Sequence, residues 1–345
     1  MPTCEVRNVI LGVVAMLFAH PASAVVIGNA DTNKLDYMWL ATDPAFSYSN
    51  AFGSIAFDSD FRSVGQIYGR RGSSGFSASG VLIDDDWVLT AAHVTDGASS
   101  LKFWLDKGGT NFSRSSAMLA NGIYTHPNWT GSLASGHDIG LFRLSAPAPC
   151  YSAGTCETAE LNTTALDPSL KPLVVEIGFG RTGTGSGGAT KFDGLKRGGT
   201  NILDAFYANG LNNILLADFD SGSGLDNYFG SSTPTVMEAI IAPGDSGGGL
   251  FTADGLLLGI TSFIWGLDGK ANSDFGDTAG WSNVATYGSW IACVIANNAN
   301  CNASGTALLG AGNLLAVKEV RIAEPGSLAL LGLALAGLLA SRRRR

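Results

Sequence analysis

The sequence predicts an all-β protein, on three observations. Glycine is abundant, 46 of 345 residues, and together with Ser, Asn and Asp it punctuates the chain with turn signals. Short runs of β-branched and aromatic residues follow one another closely, at 61–68, 76–83, 87–91 and 100–105. Long stretches with a 3.6-residue apolar period are few. Strands at this spacing suit a barrel or a sandwich. With 46% hydrophobic and only 14% charged residues the chain can bury one large or two smaller cores, which excludes a disordered tail.

Both ends read as addresses. Arg7 precedes an apolar run at 9–19, and Pro21-Ala22-Ser23-Ala24 then supplies the small residues that suit signal peptidase. Residues 1–24 are therefore expected to be a signal peptide, with Val25 the first residue left after cleavage. At the other end an apolar run at 328–340 is closed by Arg342 to Arg345. It is short for a spanning helix, which needs roughly 20 residues, but the arginines would hold its end on the cytoplasmic side, so membrane contact before processing is expected there. Ala323-Glu324-Pro325, the apolar run and the arginine cluster, in that order, resemble the PEP-CTERM sorting signal of Gram-negative bacteria. This resemblance implies handling by an exosortase-type enzyme and a destination in the periplasm, at the cell surface or in the extracellular matrix. A plain membrane anchor is the alternative.

Glu5 and Arg7 of the leader cancel, and the four terminal arginines outweigh Glu324 by three, so the formal charge of −8 becomes −11 over 25–323. So acidic a body argues against nucleic acid as a partner. Cys4 lies in the leader, which leaves Cys150, Cys156, Cys293 and Cys301. In an exported chain an even number points to disulfides, and of three formal pairings sequence proximity favours Cys150–Cys156 and Cys293–Cys301. Zinc is the other use of four cysteines, but no histidine stands at ligand spacing beside either pair, so no metal is expected.

Three places along the chain carry chemistry. Trp87-Val88-Leu89-Thr90-Ala91-Ala92-His93 is an apolar strand that delivers a small-residue corner and then one histidine. A lone histidine at a strand end is often structural. Further on, His137-Asp138-Ile139-Gly140-Leu141 sets an acid at the mouth of another apolar strand, where a partly buried carboxylate would need a donor such as an imidazole N–H. Last, Ala242-Pro243-Gly244-Asp245-Ser246-Gly247-Gly248-Gly249 is a Gly-rich turn with a serine at its centre. Such a bend can present a hydroxyl for attack and aim the N–H groups of Gly244 and Ser246 at one point, although Gly-Gly and Ser-Gly also mark plain loops. Asp218, Asp220 and Asp226 fall in a long segment at 201–235. They lack the downstream glutamate of an EF-hand and are expected to be solvated. The Gly/Ser/Thr-rich stretch at 181–188 is expected to be a mobile loop.

Taken in order, Thr90-Ala91-Ala92-His93, Asp138-Ile139-Gly140-Leu141 and Gly244-Asp245-Ser246-Gly247-Gly248 resemble the chymotrypsin-like serine proteases of the trypsin family. Further likeness runs through His126-Pro127, Gly178-Phe179-Gly180, the strand at 257–262 and Tyr287-Gly288-Ser289-Trp290-Ile291. The resemblance spans roughly 76–296. It implies two six-stranded antiparallel β-barrels, about 50–150 and 170–285, and a C-terminal α-helix at about 284–297. The protease domain is then 25–299, with a linker at 300–322 and the sorting signal at 323–345.

The resemblance also implies a secreted or cell-surface endopeptidase acting through an acyl-enzyme on protein or peptide substrates, with His93, Asp138 and Ser246 catalytic and Gly244 and Ser246 forming the oxyanion hole. No cofactor is called for. Ile240, six residues before Ser246, would floor the primary pocket, and Ser262, Phe263 and Ile264 would wall it; with no carboxylate there, small or aliphatic side chains are expected. Asp245 is the candidate activation latch. Family members insert a freed N-terminal amine beside this acid, and Val26-Ile27-Gly28-Asn29 is similar to the inserted sequence, which makes Val25 one residue too early. The alternative function is a catalytically silent relative serving as a surface or matrix adhesion module.

Overall fold

The computed structural model describes residues 25–28, 36–41, 43, 47–50, 53–56, 61–105, 117–148, 158–229 and 232–306. The expected signal peptide, the Cys150–Cys156 pair, most of the expected linker and the sorting signal lie outside the described residues. In chain order the strands are β1 (Val26–Ile27), β2 (Ser47–Asn50), β3 (Gly53–Ala56), β4 (Val64–Arg71), β5 (Ser74–Asp84), β6 (Trp87–Thr90), β7 (Ser100–Leu105), β8 (Met118–Thr125) and β9 (Gly140–Leu144). There follow β10 (Leu173–Gly178), β11 (Thr182–Thr184), β12 (Gly188–Lys191), β13 (Arg197–Ile202), β14 (Ala205–Phe206), β15 (Ile214–Asp218), β16 (Ala239–Ile240), β17 (Gly249–Phe251), β18 (Leu257–Trp265) and β19 (Thr278–Asn283). Helices are short at α1 (Asp36–Leu40) and α2 (Ala92–Thr95), and longer at α3 (Val284–Asn297). The four strands expected between 61 and 105 are all present, and α3 has the bounds expected of the C-terminal helix.

Strands β4, β5, β6, β9, β8 and β7 form a closed six-stranded antiparallel barrel. Alternation explains its inside. Along β7, Leu101, Phe103 and Leu105 are buried while Ser100 and Lys102 are exposed. Phe103 meets Phe142 of β9 edge-on, ring centroids 6.1 Å apart. Gly65 of β4 has no room for a side chain because the Phe103 ring lies against it.

The second barrel differs from the expected six strands. It is a seven-stranded sheet in the order β13-β10-β17-β18-β19-β15-β14, and its hydrogen-bonded ladder does not close among the described residues. The two edge strands are consecutive in the chain, with only Leu203 and Asp204 between them. The sheet therefore curls until its edges meet through the chain, and the Asn201 side chain spans the gap by donating to the carbonyls of Asp218 and Ala239, 2.9 and 3.0 Å away. Val174, Leu203, Leu215, Ala217, Phe219, Leu250, Leu258 and Trp281 fill its inside. Each large apolar side chain so buried contributes about 1.5–3 kcal/mol.

A smaller sheet, β12-β11-β1-β16, lies beside this core. The expected mobile loop at 181–188 is a correction: it forms β11, the turn and the start of β12, because β1 offers β11 a parallel partner at Ile27 and Thr184, while Gly188 (φ +64°) makes the turn. Two of the three loop aspartates are a second correction, since Asp218 is 1% and Asp220 7% exposed, while Asp226 is half-buried. Asp218 Oδ2 accepts the amides of Tyr228 and Phe229, and Asp226 Oδ2 accepts the Ser221 hydroxyl, so Asp218 and Asp226 organise the segment as internal acceptors. Among the described residues no cluster of His, Cys, Asp or Glu is arranged to hold a metal ion, and no helix is long and apolar enough to cross a membrane.

The chain divides into two compact units, through Gly288 and from Ser289 onward. In the second, the later turns of α3 are tied to the chain that follows by the disulfide Cys293–Cys301, with Cα atoms 6.2 Å apart. Asn297 Nδ2 donates to the Cys293 carbonyl, and Asn302 accepts from Thr306.

Candidate active site

Register brings His93 and Asp138 together. Strands β6 and β9 are antiparallel neighbours with Thr90 opposite Gly140, so the chain leaving β6 and the chain entering β9 meet at one rim of the barrel. Just past that rim α2 places His93, whose amide donates to Asp138 Oδ1 and whose Nδ1 lies 2.8 Å from Asp138 Oδ2. Asp138 is fully buried, whereas the imidazole keeps 26% of its side-chain surface. A carboxyl group at zero exposure needs hydrogen-bond partners, and the Ser262 hydroxyl supplies another at 2.6 Å. The Ser282 hydroxyl holds the Asp138 carbonyl at 2.7 Å.

The loop before Asp138 is braced from below. His137 has φ +62°, a left-handed conformation that costs about 1–2 kcal/mol and therefore needs support. Its amide donates to the Tyr287 hydroxyl at 2.8 Å, which also receives Asn213 Nδ2. The ring stacks on His126 with centroids 5.3 Å apart. Burial, with His137 adding to it, drops His126 to about 4, so this stack is neutral at ordinary pH. His126 and His137 are thus scaffolding for the Asp138 corner.

Ser246 sits in the turn before β17. Its carbonyl accepts the Ser79 amide of β5 at 2.8 Å, and the Gly247 amide donates to Thr261 of β18. The Ser79 hydroxyl donates to the Gly244 carbonyl and accepts the Phe179 amide, and Thr90 Oγ1 donates to the Ser79 carbonyl. Gly247 (φ +82°) lies against that Thr90 hydroxyl, and a side chain there would collide with it. The serine turn is thereby pinned to the end of β6, two residues short of the helix that carries His93. Within the turn the amides of Asp245 and Gly248 are taken up by the carbonyls of Ala242 and Asp245. Among the described residues no acceptor takes the amides of Gly244 and Ser246, which are only half-buried. Two such uncommitted donors on one bend can hold an anionic oxygen.

Asp245 points the other way. Fully buried, it accepts Gly180 at Oδ1, 2.6 Å, and Ala242 and Val25 at Oδ2, 2.8 and 2.9 Å. Burial pushes it up to about 7 against these three backbone donors and the more distant Arg197. The amide at the acid is that of Val25, so the expectation that Val25 comes one residue too early is corrected. Strand β1 pairs Val26 with Ile240 and Ile27 with Ala239, and this register brings the nitrogen of the preceding residue to the carboxylate.

Of the expected pocket residues, Ile240 is fully buried in the second core, and the half-buried Ile264 packs on the same cluster with Phe275. Phe263 lays its ring over Gly280. Ser262 turns its hydroxyl to Asp138, a contact that sequence could have offered only through a polar residue on an otherwise apolar strand. Ser79 and Ser282 had no signal, because nothing local distinguishes a serine that will meet a distant loop, and Tyr287 stood out only as part of the resemblance at 287–291, which did not point to His137.

Residues 51–291 match the protein family described as Trypsin. In sequence the chain is similar to chymotrypsin-like elastase family member 1 of Bos taurus, 27% identical over 245 residues that cover 66% of this chain and 83% of the relative. It is 28% identical over 244 residues to kallikrein 1-related peptidase b21 of Mus musculus, covering 65% and 82%. The match to the complement C1s subcomponent of Sus scrofa, 30% identical over 115 residues, covers 31% of this chain and spans only 17% of that larger protein. Among solved structures, a collagenase (HL collagenase) is similar with a TM-score of 0.47 at 19% identity, covering 68% of this chain and 94% of the other. Mouse brain neuropsin, a serine protease, has a TM-score of 0.47 at 21% identity, covering 67% and 93%.

Proposed function

Since the chain belongs to the trypsin family of serine proteases, we propose that it is an exported endopeptidase in which Ser246 attacks the scissile carbonyl and forms an acyl-enzyme. His93 takes the serine proton and returns it to the leaving amine. Asp138 fixes the tautomer with the proton on Nδ1 and steadies the imidazolium once it forms. The amides of Gly244 and Ser246 receive the oxyanion; a donor of this kind is worth about 3 kcal/mol of transition-state stabilisation. The observation that carries the proposal is the clamp on the imidazole, with Asp138 bonded at once to the backbone and the ring of His93. It leaves Nε2 as the working nitrogen.

With the apolar Ile240 six residues before Ser246 and Ile264 on β18, the primary pocket carries no carboxylate and takes small or aliphatic side chains. Export fits the leader at 1–24, whose removal would expose Val25 as the amine that Asp245 holds. The tail at 323–345 would be sorted by an exosortase-type enzyme in a Gram-negative cell, touching the membrane until processed.

A fluorophosphonate probe tests the reading. It is expected to label the exported chain at Ser246 and to leave Ser246→Ala unlabelled, with hydrolysis of peptides lost in the same variant. A folded wild-type chain that does not label is a silent binding module, and the proposal falls.

A further inference from the structure

Glu176 is a buried acid for which the catalytic reading has no use. It lies at the middle of β10, is fully buried, and neither carboxyl oxygen has a well-formed hydrogen bond. An acid so placed costs several kcal/mol unless something offsets it.

Its surroundings say what that something is. Side chains two apart share a strand face, and Gly178, two residues on, lacks a side chain where the Asp245 carboxylate sits. Glu176 therefore faces the layer that holds Asp245. Across the sheet Glu176 pairs with Gly199, where a side chain would meet Ala239 of β16. Strand β16 in turn carries β1, and their register continues to place Val25 opposite Ile241. The Ile241 amide is a backbone donor that meets the Glu176 carboxyl. The charged groups facing Glu176 are Asp245 and Glu238, and Arg197 of β13, itself paired with Asp193, faces Asp245. Burial first, then Asp245 and Glu238, hold Glu176 well above the usual carboxylate range.

We propose that Glu176 is a positioning residue that completes a two-acid socket for the Val25 ammonium, the cation released when the Ala24–Val25 bond is cut. The step is a hydrolysis: water adds across the peptide bond, the carboxylate stays on Ala24 and the amine on Val25 takes a proton. An amide at Val25 offers one N–H, which Asp245 already accepts. An ammonium offers three, and Glu176, whose oxygens make no well-formed hydrogen bond, accepts another. Removal of the leader and shaping of the serine turn are then one event. This inference rests on the proposed protease reading, since it is the turn beside Ser246 that Asp245 holds.

The test compares exported wild type with Glu176→Gln and Glu176→Leu. N-terminal sequencing is expected to return Val25 first; any other first residue overturns the proposal. An α-amine titrates near 8 unless acids hold its proton, so replacing one of two acids by Gln is expected to lower the alkaline midpoint of Ser246 labelling by about one pH unit. Labelling at pH 7 should stay within about threefold, because Gln keeps an acceptor. Glu176→Leu should lose about tenfold at pH 7 as well. The alkaline midpoint of thermal stability should shift with the labelling. If Gln stabilises the fold and leaves both alkaline limbs unmoved, Glu176 is only a tolerated buried acid and the inference is wrong. If Ser246 labels in no variant, the protease reading fails by itself, and the stability profiles still decide the socket.

Discussion

Asp138 and Asp245 are both sealed from solvent, yet the protein treats them differently. Asp138 takes side-chain donors, His93 Nδ1 and the Ser262 hydroxyl, beside one backbone amide. Asp245 takes three amides, of Gly180, Ala242 and Val25, with Arg197 as its distant cation. Under the proposed mechanism the first arrangement serves proton transfer, because an imidazole held by a carboxylate can take up and return a proton. The second serves shape, because every donor belongs to a backbone segment and the acid ties three of them together. Two carboxylates of equal burial are thus held by different kinds of partner, and under the proposed mechanism the partner decides which takes part in chemistry and which in architecture.

The contrast predicts opposite signatures for the same substitution. Asp138→Asn is expected to lower kcat/KM by about 10⁴-fold, since the amide favours the wrong tautomer, while the melting temperature moves by only a few degrees. Asp245→Asn leaves one acceptor for three donors. It should cost about 2–3 kcal/mol of stability and, through the turn, about 10²–10³-fold in kcat/KM. Finding the larger melting loss in Asp138→Asn would reverse the assignment of roles.

The smallest effect concerns other buried acids. Burial raises Asp220 and Asp277 to about 7 and Glu238 to about 8; Asp204 also reaches about 7, from burial with Asp218 adding and Lys171 opposing. Unfolded, such groups titrate near 4, so between about pH 4 and 8 the native state holds more protons than the unfolded one. Stability from these groups is fully present at the acid end of that window and lost as pH rises through it. Melting is expected several degrees higher at pH 5 than at pH 8; a flat profile would mean that these acids find cations in solution.

The candidate site was legible to different depths. His93, Asp138 and Ser246 stood out because each sits in a local pattern, an apolar strand ending in small residues or a glycine turn. The strands between 61 and 105 were legible for the same reason, and α3 through its resemblance. The hairpin at 181–191 was not, because its Gly, Ser and Thr residues become strand only when β1 arrives alongside. Asp218 looked solvated because nothing nearby in sequence announces that the amides of Tyr228 and Phe229 will fold back onto it.

From the order of residues alone follow an all-β chain, the chemistry of a histidine, an aspartate and a serine, and the small-residue corner before Val25. These are local properties, set by side-chain type and by periods of two to a few residues. Only the tertiary structure decided that the second sheet curls without closing its ladder, that Ser262 belongs to Asp138, and that the nitrogen at Asp245 is Val25 and not Val26. The last two join residues 124 and 220 positions apart, and all three depend on register, where a shift of one residue exchanges the buried face for the exposed one. Glu176 shows the difference most plainly: in the sequence it is one charge on an apolar strand, and in the fold it is a buried acid facing the layer where the mature chain would begin.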